Sequence, residues 1–194
     1  LAAGLSEKLE FPALGLLVSG GHTNIYYFGS AVKALQLGRT IDDAAGEAFD
    51  KTGKILGLAY PGGRLLDTRR GRADAKLFPR PYLDNDNLDF SFSGLKTAVS
   101  LYVKEHFADE PWPHPLQNPD DAPQGLCDLC ASFNLAVVDT LLAKVRRAMK
   151  RYPGVKNLIM AGGVAANSLL RERVTELMER AGGKAFMPPL SLCT

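Results

Sequence analysis

The segment Leu17 to Thr23 reads LVSGGHT. An apolar run stops at Gly20 and Gly21, and His22 and Thr23 open a second run rich in β-formers. Glycines at such a corner permit positive φ and let a ligand approach the backbone. Successive N–H groups there form an anion nest, and Ser19 and Thr23 add hydroxyl donors. The chemistry this suits is holding a phosphate or carboxylate, each bond to a charged oxygen contributing about 1.5–3 kcal/mol. The same residues also suit a hairpin that needs only a glycine turn. His22 alone is no catalyst, because no Ser or Asp stands at a diagnostic spacing from it.

Two further stretches could carry chemistry. In DDAAGEAFDK (Asp42 to Lys51), Asp43, Glu47 and Asp50 fall on one helix face, with Gly46 on the same side. They form either a solvated acidic face relieved by Lys51 and Lys54 or a cleft wall that accepts hydrogen bonds. A mid-helix glycine costs about 1 kcal/mol and calls for a reason. In MAGGVAAN (Met160 to Asn167) a strand ends at Gly162 and Gly163, and a helix begins with small residues. Corners at the carboxyl ends of strands are where α/β sheets place ligands. A flat ring such as adenine fits there, with Asn167 able to donate and accept; a plain turn with an Asn cap fits equally. The pattern is neither GxGxxG nor GxxxxGK[ST], so Rossmann and P-loop sites are unsupported. DFSFSGLKT (Asp89 to Thr97) offers Ser93 as a helix cap but no derivable role. Cys127 and Cys130 sit as a lone CxxC within a helical stripe, where core packing is expected rather than zinc.

Three strands are expected to position the first corner: Phe11 to Val18, Asn24 to Phe28 and Lys33 to Arg39, joined as an antiparallel meander. Helical period follows over Asp42 to Leu56, with Ala45, Ala48, Phe49, Thr52 and Ile55 inward, and again over Ser93 to Phe107. Asp109 to Gln124 holds five prolines and reads as a surface insertion. A long helix runs from about Gly125 to Arg151, with Leu126, Leu129, Cys130, Phe133, Val137, Leu141 and Val145 as its stripe. A strand over Val155 to Met160, a helix capped by Asn167 or Ser168, and a strand from Lys184 to Met187 complete the order. The fold class is α/β with a mixed sheet, antiparallel first and parallel after.

The 194 residues are 46% hydrophobic and 23% charged, a globular composition rather than disorder, with no apolar run approaching the roughly 20 residues of a membrane span. A net charge of +2 is too mild to indicate nucleic acid. Arg64, Arg69, Arg70, Arg72, Lys76 and Arg80 offer one basic stretch, either a solvated loop or an RNA contact. Three cysteines favour a reducing, cytoplasmic setting. Leu1 to Glu10 reads as the tail of a helix that begins earlier, so the chain is expected to be part of something longer.

Together LVSGGHT, IDDAAGEAFDK (Ile41 to Lys51), YPGG (Tyr60 to Gly63), FPRP (Phe78 to Pro81), DFSFSGLKT and MAGGVAAN resemble the tRNA threonylcarbamoyladenosine transferases (TsaD-like), formerly labelled O-sialoglycoprotein endopeptidases. The resemblance implies the ASKHA fold of actin, Hsp70 and sugar kinases. Residues 11–194 then form the second domain, C-terminally truncated, with residues 1–10 as a helical remnant of the first. It implies that Leu17, Val18, Ser19, Gly20 and Gly21 bind the phosphate side of an adenylate. It also implies that Asp50, Gly63, Asp67 and Asn167 contact the substrate, with His22, Thr23, Glu47, Gly162 and Gly163 nearby. The implied reaction moves a threonylcarbamoyl group from threonylcarbamoyl-adenylate to the N6 amine of adenosine 37, beside the anticodon, in tRNAs reading codons that begin with A.

The resemblance further implies one divalent metal, Fe or Zn, and two protein partners, a dimerising paralogue and a small ATPase. ATP or AMP is an alternative ligand, and no membrane is expected. The family's metal-binding HxxxH motif and aspartate fall just before Leu1 and just after Thr194. This chain by itself is therefore expected to hold no catalytic metal and to be inactive. The rivals are a kinase of the same fold, for which no sugar site is marked, and a non-catalytic nucleotide-binding or assembly module. A metalloprotease would need something like HExxH, which is absent.

Overall fold

The run Ala13–Val18 is apolar on both faces and forms the central strand β1, buried along nearly its whole length. The computed structural model describes residues 9–58, 66–67, 70–107, 116 and 121–193. β1 turns into β2 (Thr23–Ser30), and β2 into β3 (Lys33–Arg39), as an antiparallel meander. On its other edge β1 pairs in parallel with β4 (Asn157–Ala161), which pairs in parallel with β5 (Lys184–Phe186). The order β3-β2-β1-β4-β5 is the expected mixed sheet, with β1 at the change from antiparallel to parallel.

Among the described residues four α-helices accompany these strands. α1 spans Ala45–Ile55, α2 Ser93–His106, α3 Gln124–Arg151 and α4 Ser168–Arg180. α1 starts three residues later than the expected Asp42, because Asp42 is used elsewhere. Its Oδ1 accepts from Phe92 N at 2.9 Å, and its Oδ2 accepts from the Ser93 hydroxyl at 2.8 Å and the Ser91 hydroxyl at 2.5 Å. Burial pushes the Asp42 carboxyl up, but these bonds from Ser91, Phe92 and Ser93 outweigh it and hold it below its ordinary range. The DFSFSGLKT motif thereby gains its role: Asp42 clasps the start of α2, and Asp89 Oδ1 accepts from Arg39 N at 2.9 Å.

α3 is long and apolar enough by composition to cross a membrane, but most of it is buried in the core. Every residue of its expected stripe is buried, and Phe133 meets Phe49 of α1 edge-on at 5.5 Å. Cys127 and Cys130 pack there as free thiols, and burial raises the Cys130 thiol to about 12, which makes it inert. The proline-rich stretch lies largely outside the described residues, but Leu116 within it is buried and bridges to Leu58. Leu9 and Glu10 carry no helix; the rest of the expected remnant, 1–8, lies outside the described residues.

The polar side of α3 collects the preceding loops. Asp128 accepts from Arg72 N at 2.7 Å and Ser132 Oγ from Asp74 N at 2.9 Å. Asp139 takes the Arg80 guanidinium at 2.6 Å. Lys144 is fully buried, and its ammonium donates to Asn85 Oδ1 at 2.9 Å and Asn87 O at 3.1 Å. Arg147 donates to Asn87 O at 2.7 Å and Leu83 O at 3.1 Å, and Arg151 donates to Asp86 O.

Two glycines set how closely the parts that form the corners approach. Gly162, just past β4, has φ +98°, and a Cβ there would overlap the Val18 carbonyl oxygen. Gly46 in the first turn of α1 donates its N–H to Ser19 O at 3.1 Å, and a Cβ would lie 2.6 Å from that oxygen and 2.7 Å from Gly20 N. Because α1 begins at Ala45, Gly46 stands in its first turn rather than mid-helix, and it is a glycine because a strand end rests there.

Gly162→Ala combines left-handed strain with a backbone clash, so a loss of more than about 3 kcal/mol is expected in urea unfolding of the full-length gene product. A loss under about 1 kcal/mol would show that the two strand ends do not abut. Burial, with Arg147 beside it, lowers Lys144 from 10.5 to about 8, against which Asp89 works weakly. The unfolded chain then binds more protons between these values, so stability should rise as pH goes from about 8 to 10.5. Lys144→Met should abolish that increment in urea midpoints measured across the window.

Candidate functional site

The β1–β2 corner is closed by its own residues. Ser19 N donates to His22 O at 2.8 Å, and His22 N donates to Ser19 Oγ at 3.0 Å. Gly20, Gly21 and His22 are exposed, and a Cβ on either glycine would meet nothing within 4 Å. The ground in front of these backbone groups is therefore open. Leu17 and Val18 pair with β2, and Leu17 also with β4; Val18 is wholly buried, so only their main chain could serve a ligand. Thr23 does not face the open side. It is fully buried, its Oγ1 accepts from Ala45 N at 2.8 Å, and its carbonyl accepts from Thr40 N at 2.8 Å. Thr23 fastens α1 rather than lining the corner.

β4 reaches the same end of the sheet. Leu17 is level with Ala161, and the chain then turns at Gly162 into a 3-10 turn, Gly163–Ala166. Ser19 Cβ lies 3.2 Å from where a Gly162 Cβ would stand. Leu17, Val18, Ser19, Gly20, Gly162 and Gly163 are thus neighbours, with Gly46 of α1 against Ser19 and Gly20. The two glycine corners read from the sequence share one side of the sheet, at the carboxyl ends of β1 and β4.

The three carboxylates of the α1 segment divide. Lys51 Nζ binds Asp43 at 2.7 Å and Glu47 at 2.8 Å. Glu47 also caps the helix by accepting from Ala44 N at 3.4 Å. The hydrogen bond from Lys51 holds Glu47 below its ordinary value, and the same contacts raise Lys51. Asp50 has no hydrogen bond or ion pair among the described residues, and burial raises its carboxyl. It follows Gly46 by four residues, so it stands about 6 Å further along the helix on the side that meets Ser19. Among the described residues Asp50 is the one of the three with both oxygens uncommitted; Asp43 keeps only its buried Oδ2 without a partner.

Asp67 and Asn167 are joined through a residue the sequence did not single out. Asp67 Oδ2 accepts from Ser168 N at 2.7 Å, and its Oδ1 accepts from Ser168 Oγ at 2.9 Å and from Asn134 Nδ2 at 3.2 Å. Asn167 Nδ2 donates to Asn134 Oδ1 at 2.9 Å, and Asn167 Oδ1 accepts from Leu170 N at 2.9 Å as the α4 cap. Asn134 lies buried on α3, one residue after the stripe position Phe133. A buried amide in an apolar helix was the available signal. Gly63 and the YPGG motif lie outside the described residues, as do Arg64 and Arg69. Of the remaining basic stretch, Arg80 is committed to Asp139, Ala75 O and Phe78 O, which accounts for FPRP. Arg70, Arg72 and Lys76 are exposed. No three His, Cys, Asp or Glu side chains gather among the described residues to hold a metal ion.

A sequence model of the TsaD family, described as tRNA N6-adenosine threonylcarbamoyltransferase, matches residues 1–194. Curated relatives carry the same description. That of Desulfovibrio desulfuricans is 67% identical over 196 residues, covering all of this chain and 54% of the relative. That of Nitratidesulfovibrio vulgaris is 57% identical over 201 residues, covering all of this chain and 56% of the relative. That of Bordetella avium is 47% identical over 191 residues, covering 95% of this chain and 51% of the relative. The chain spans about half the length of the curated relatives it matches. Among solved structures, the activator of the 2-hydroxyisocaproyl-CoA dehydratase from Clostridium difficile with bound ADPNP aligns at a TM-score of 0.50 and 16% identity. That alignment covers 94% of this chain and 56% of that one. At that identity the likeness concerns the fold, the actin-like ASKHA architecture. With the family matched from end to end, the chain belongs to the TsaD family of tRNA N6-adenosine threonylcarbamoyltransferases.

Proposed function

We propose that this chain supplies one wall of an adenylate-binding cleft in a transferase that carries a threonylcarbamoyl group from threonylcarbamoyl-adenylate to N6 of adenosine 37 in tRNA. The observation that supports it best is the meeting of the two glycine corners beside Ser19, where open backbone stands at the carboxyl ends of two parallel strands. The exposed main chain of Gly20 and Gly21, with the Ser19 hydroxyl, offers donors to the phosphate, while Leu17 and Val18 in the sheet ladder and the Ser19 N–H on His22 O hold the corner in place. The turn from Gly162 and Gly163 to Asn167 accepts the adenine, with Gly162 itself spent on the close approach to Val18 and Ser19. Asp50 accepts from a substrate hydroxyl, and Asp67 and Asn167 lie together on the α4 side, with Gly63 as a further contact. His22, Thr23 and Glu47 are assigned no contact; the last two hold α1 in place.

In the step itself the N6 amine forms a bond to the carbamoyl carbon and loses a proton. The bond from that carbon to the phosphate oxygen breaks, and AMP leaves with the electron pair. The contribution of this chain is orientation: it holds phosphate and adenine while the carbamoyl carbon is presented. The metal implied by the family lacks a fitting ligand set among the described residues, so no step is assigned to it here. The dimerising paralogue, the small ATPase and a cytoplasmic setting belong to the same proposal.

The test is transfer of labelled threonylcarbamoyl from its adenylate to tRNA by the full-length gene product. Nucleotide binding without transfer would instead favour a non-catalytic module. Asp50→Asn removes a carboxylate that burial disfavours, so the melting temperature should hold or rise while transfer falls at least about tenfold. Unchanged transfer would remove Asp50 from the site. Arg72→Ala and Lys76→Ala should each reduce the slope of log tRNA affinity against log salt by about 1; unchanged slopes would assign these side chains to solvent.

A further inference from the structure

We infer that Asn134 is the positioning residue of this site: its one amide sets the spacing and orientation of Asp67 and Asn167. The inference rests on the proposal that those two residues meet the adenylate. It also goes beyond it, because Asn134 is 4% exposed on the core helix α3 and bears no resemblance-implied role.

The hydrogen bonds run in one direction only. Leu170 N can only donate, so Asn167 must turn its Oδ1 to that N–H and its Nδ2 away. Nδ2 can only donate, so Asn134 must present Oδ1 to it, at 2.9 Å. The Nδ2 of Asn134 is then aimed at Asp67 Oδ1, which as a carboxylate can only accept, at 3.2 Å. The chain from the α4 backbone through Asn167 and Asn134 to Asp67 admits one amide orientation at each step. Ser168 closes the loop by donating its N–H and hydroxyl to the same carboxylate. Asp67 keeps few lone pairs uncommitted and Asn167 keeps one N–H, so what each can offer a ligand, and from what direction, is set by Asn134. α3 supplies the rigid support, being buried along its length and packed on α4 and β1.

No side chain but a primary amide, with one accepting oxygen and one donating nitrogen, satisfies both ends. Leu fills the volume and leaves Asp67 and Asn167 each without a partner. Asp still accepts from Asn167 but sets a carboxylate against Asp67, and two carboxylates at such range share a proton. Protonation of that pair restores the donor.

The experiment measures AMP affinity by calorimetry, and melting temperature without AMP, in the full-length gene product. Asn134→Leu should weaken AMP at least about tenfold. Asn134→Asp should weaken it similarly at pH 8, and the ratio of variant to parent affinity should recover most of the loss as pH falls to about 5, the ratio cancelling the titration of the AMP phosphate that both proteins share. Asn134→Gln should retain affinity within about threefold. A merely structural residue would lower the melting temperature of Asn134→Leu and leave AMP affinity and its pH profile untouched. That result overturns the inference, as does Asn134→Asp binding AMP as the parent does at pH 8. If Asn134→Leu fails to fold, the pH profile of Asn134→Asp decides alone. Asp67→Asn and Asn167→Ala separate the two levels. If both bind AMP normally, the site reading falls and this inference with it. If both weaken AMP and the Asn134 variants do not, the site stands and the inference alone falls.

Discussion

Three pieces of backbone meet at Ser19, and the fold depends on their being able to touch. The end of β1, the turn after β4 and the first turn of α1 converge there, and each contact is too close for a Cβ. Gly162 answers with a positive φ that only glycine adopts freely, and Gly46 accepts the cost of a glycine within a helix. Thr23 adds the fastening, its hydroxyl oxygen taking the Ala45 N–H that the helix cannot satisfy internally. Glycines at a ligand corner and glycines at a backbone crossing look alike in a sequence. Here Gly46 and Gly162 make the crossing, while Gly20 and Gly21 face open space.

α3 is the second organising element. Its apolar stripe builds the core against α1, α4 and β1, and its polar positions collect the loops that precede it. Loops must satisfy their main-chain groups somewhere, and here a helix surface receives them. The buried Lys144 is the clearest case: an ammonium held by amide and carbonyl oxygens costs desolvation, and in exchange the segment Tyr82–Asn87 takes one position. Asn134 is the same device turned to the other side, where it serves the residues at α4 rather than a loop.

The acidic segment shows how tertiary contacts divide a uniform pattern. Asp42, Asp43, Glu47 and Asp50 appear in sequence as one run of negative charge. In the fold Asp42 leaves for α2, Asp43 and Glu47 share Lys51, and Asp50 stands without a partner among the described residues. Asp43 keeps a buried Oδ2 without a partner among the described residues, while at Asp50 the whole carboxylate is uncommitted there and burial raises it.

The sheet and helices were legible from periodicity, because burial of one stripe or one strand run dictates residue type at fixed spacing. The stripes of α3 and the order of antiparallel and parallel strands followed from the chain alone, as did the two glycine corners and the ASKHA architecture implied by the family motifs. Which hydroxyl faces a ligand and which fastens a helix was not legible, because Ser19 and Thr23 differ in surroundings and not in chemistry. Asn134 and the Asp42 clasp were missed for the same reason: their partners lie about 30 to 70 residues away, and no local spacing encodes a pairing that only the packed layers create.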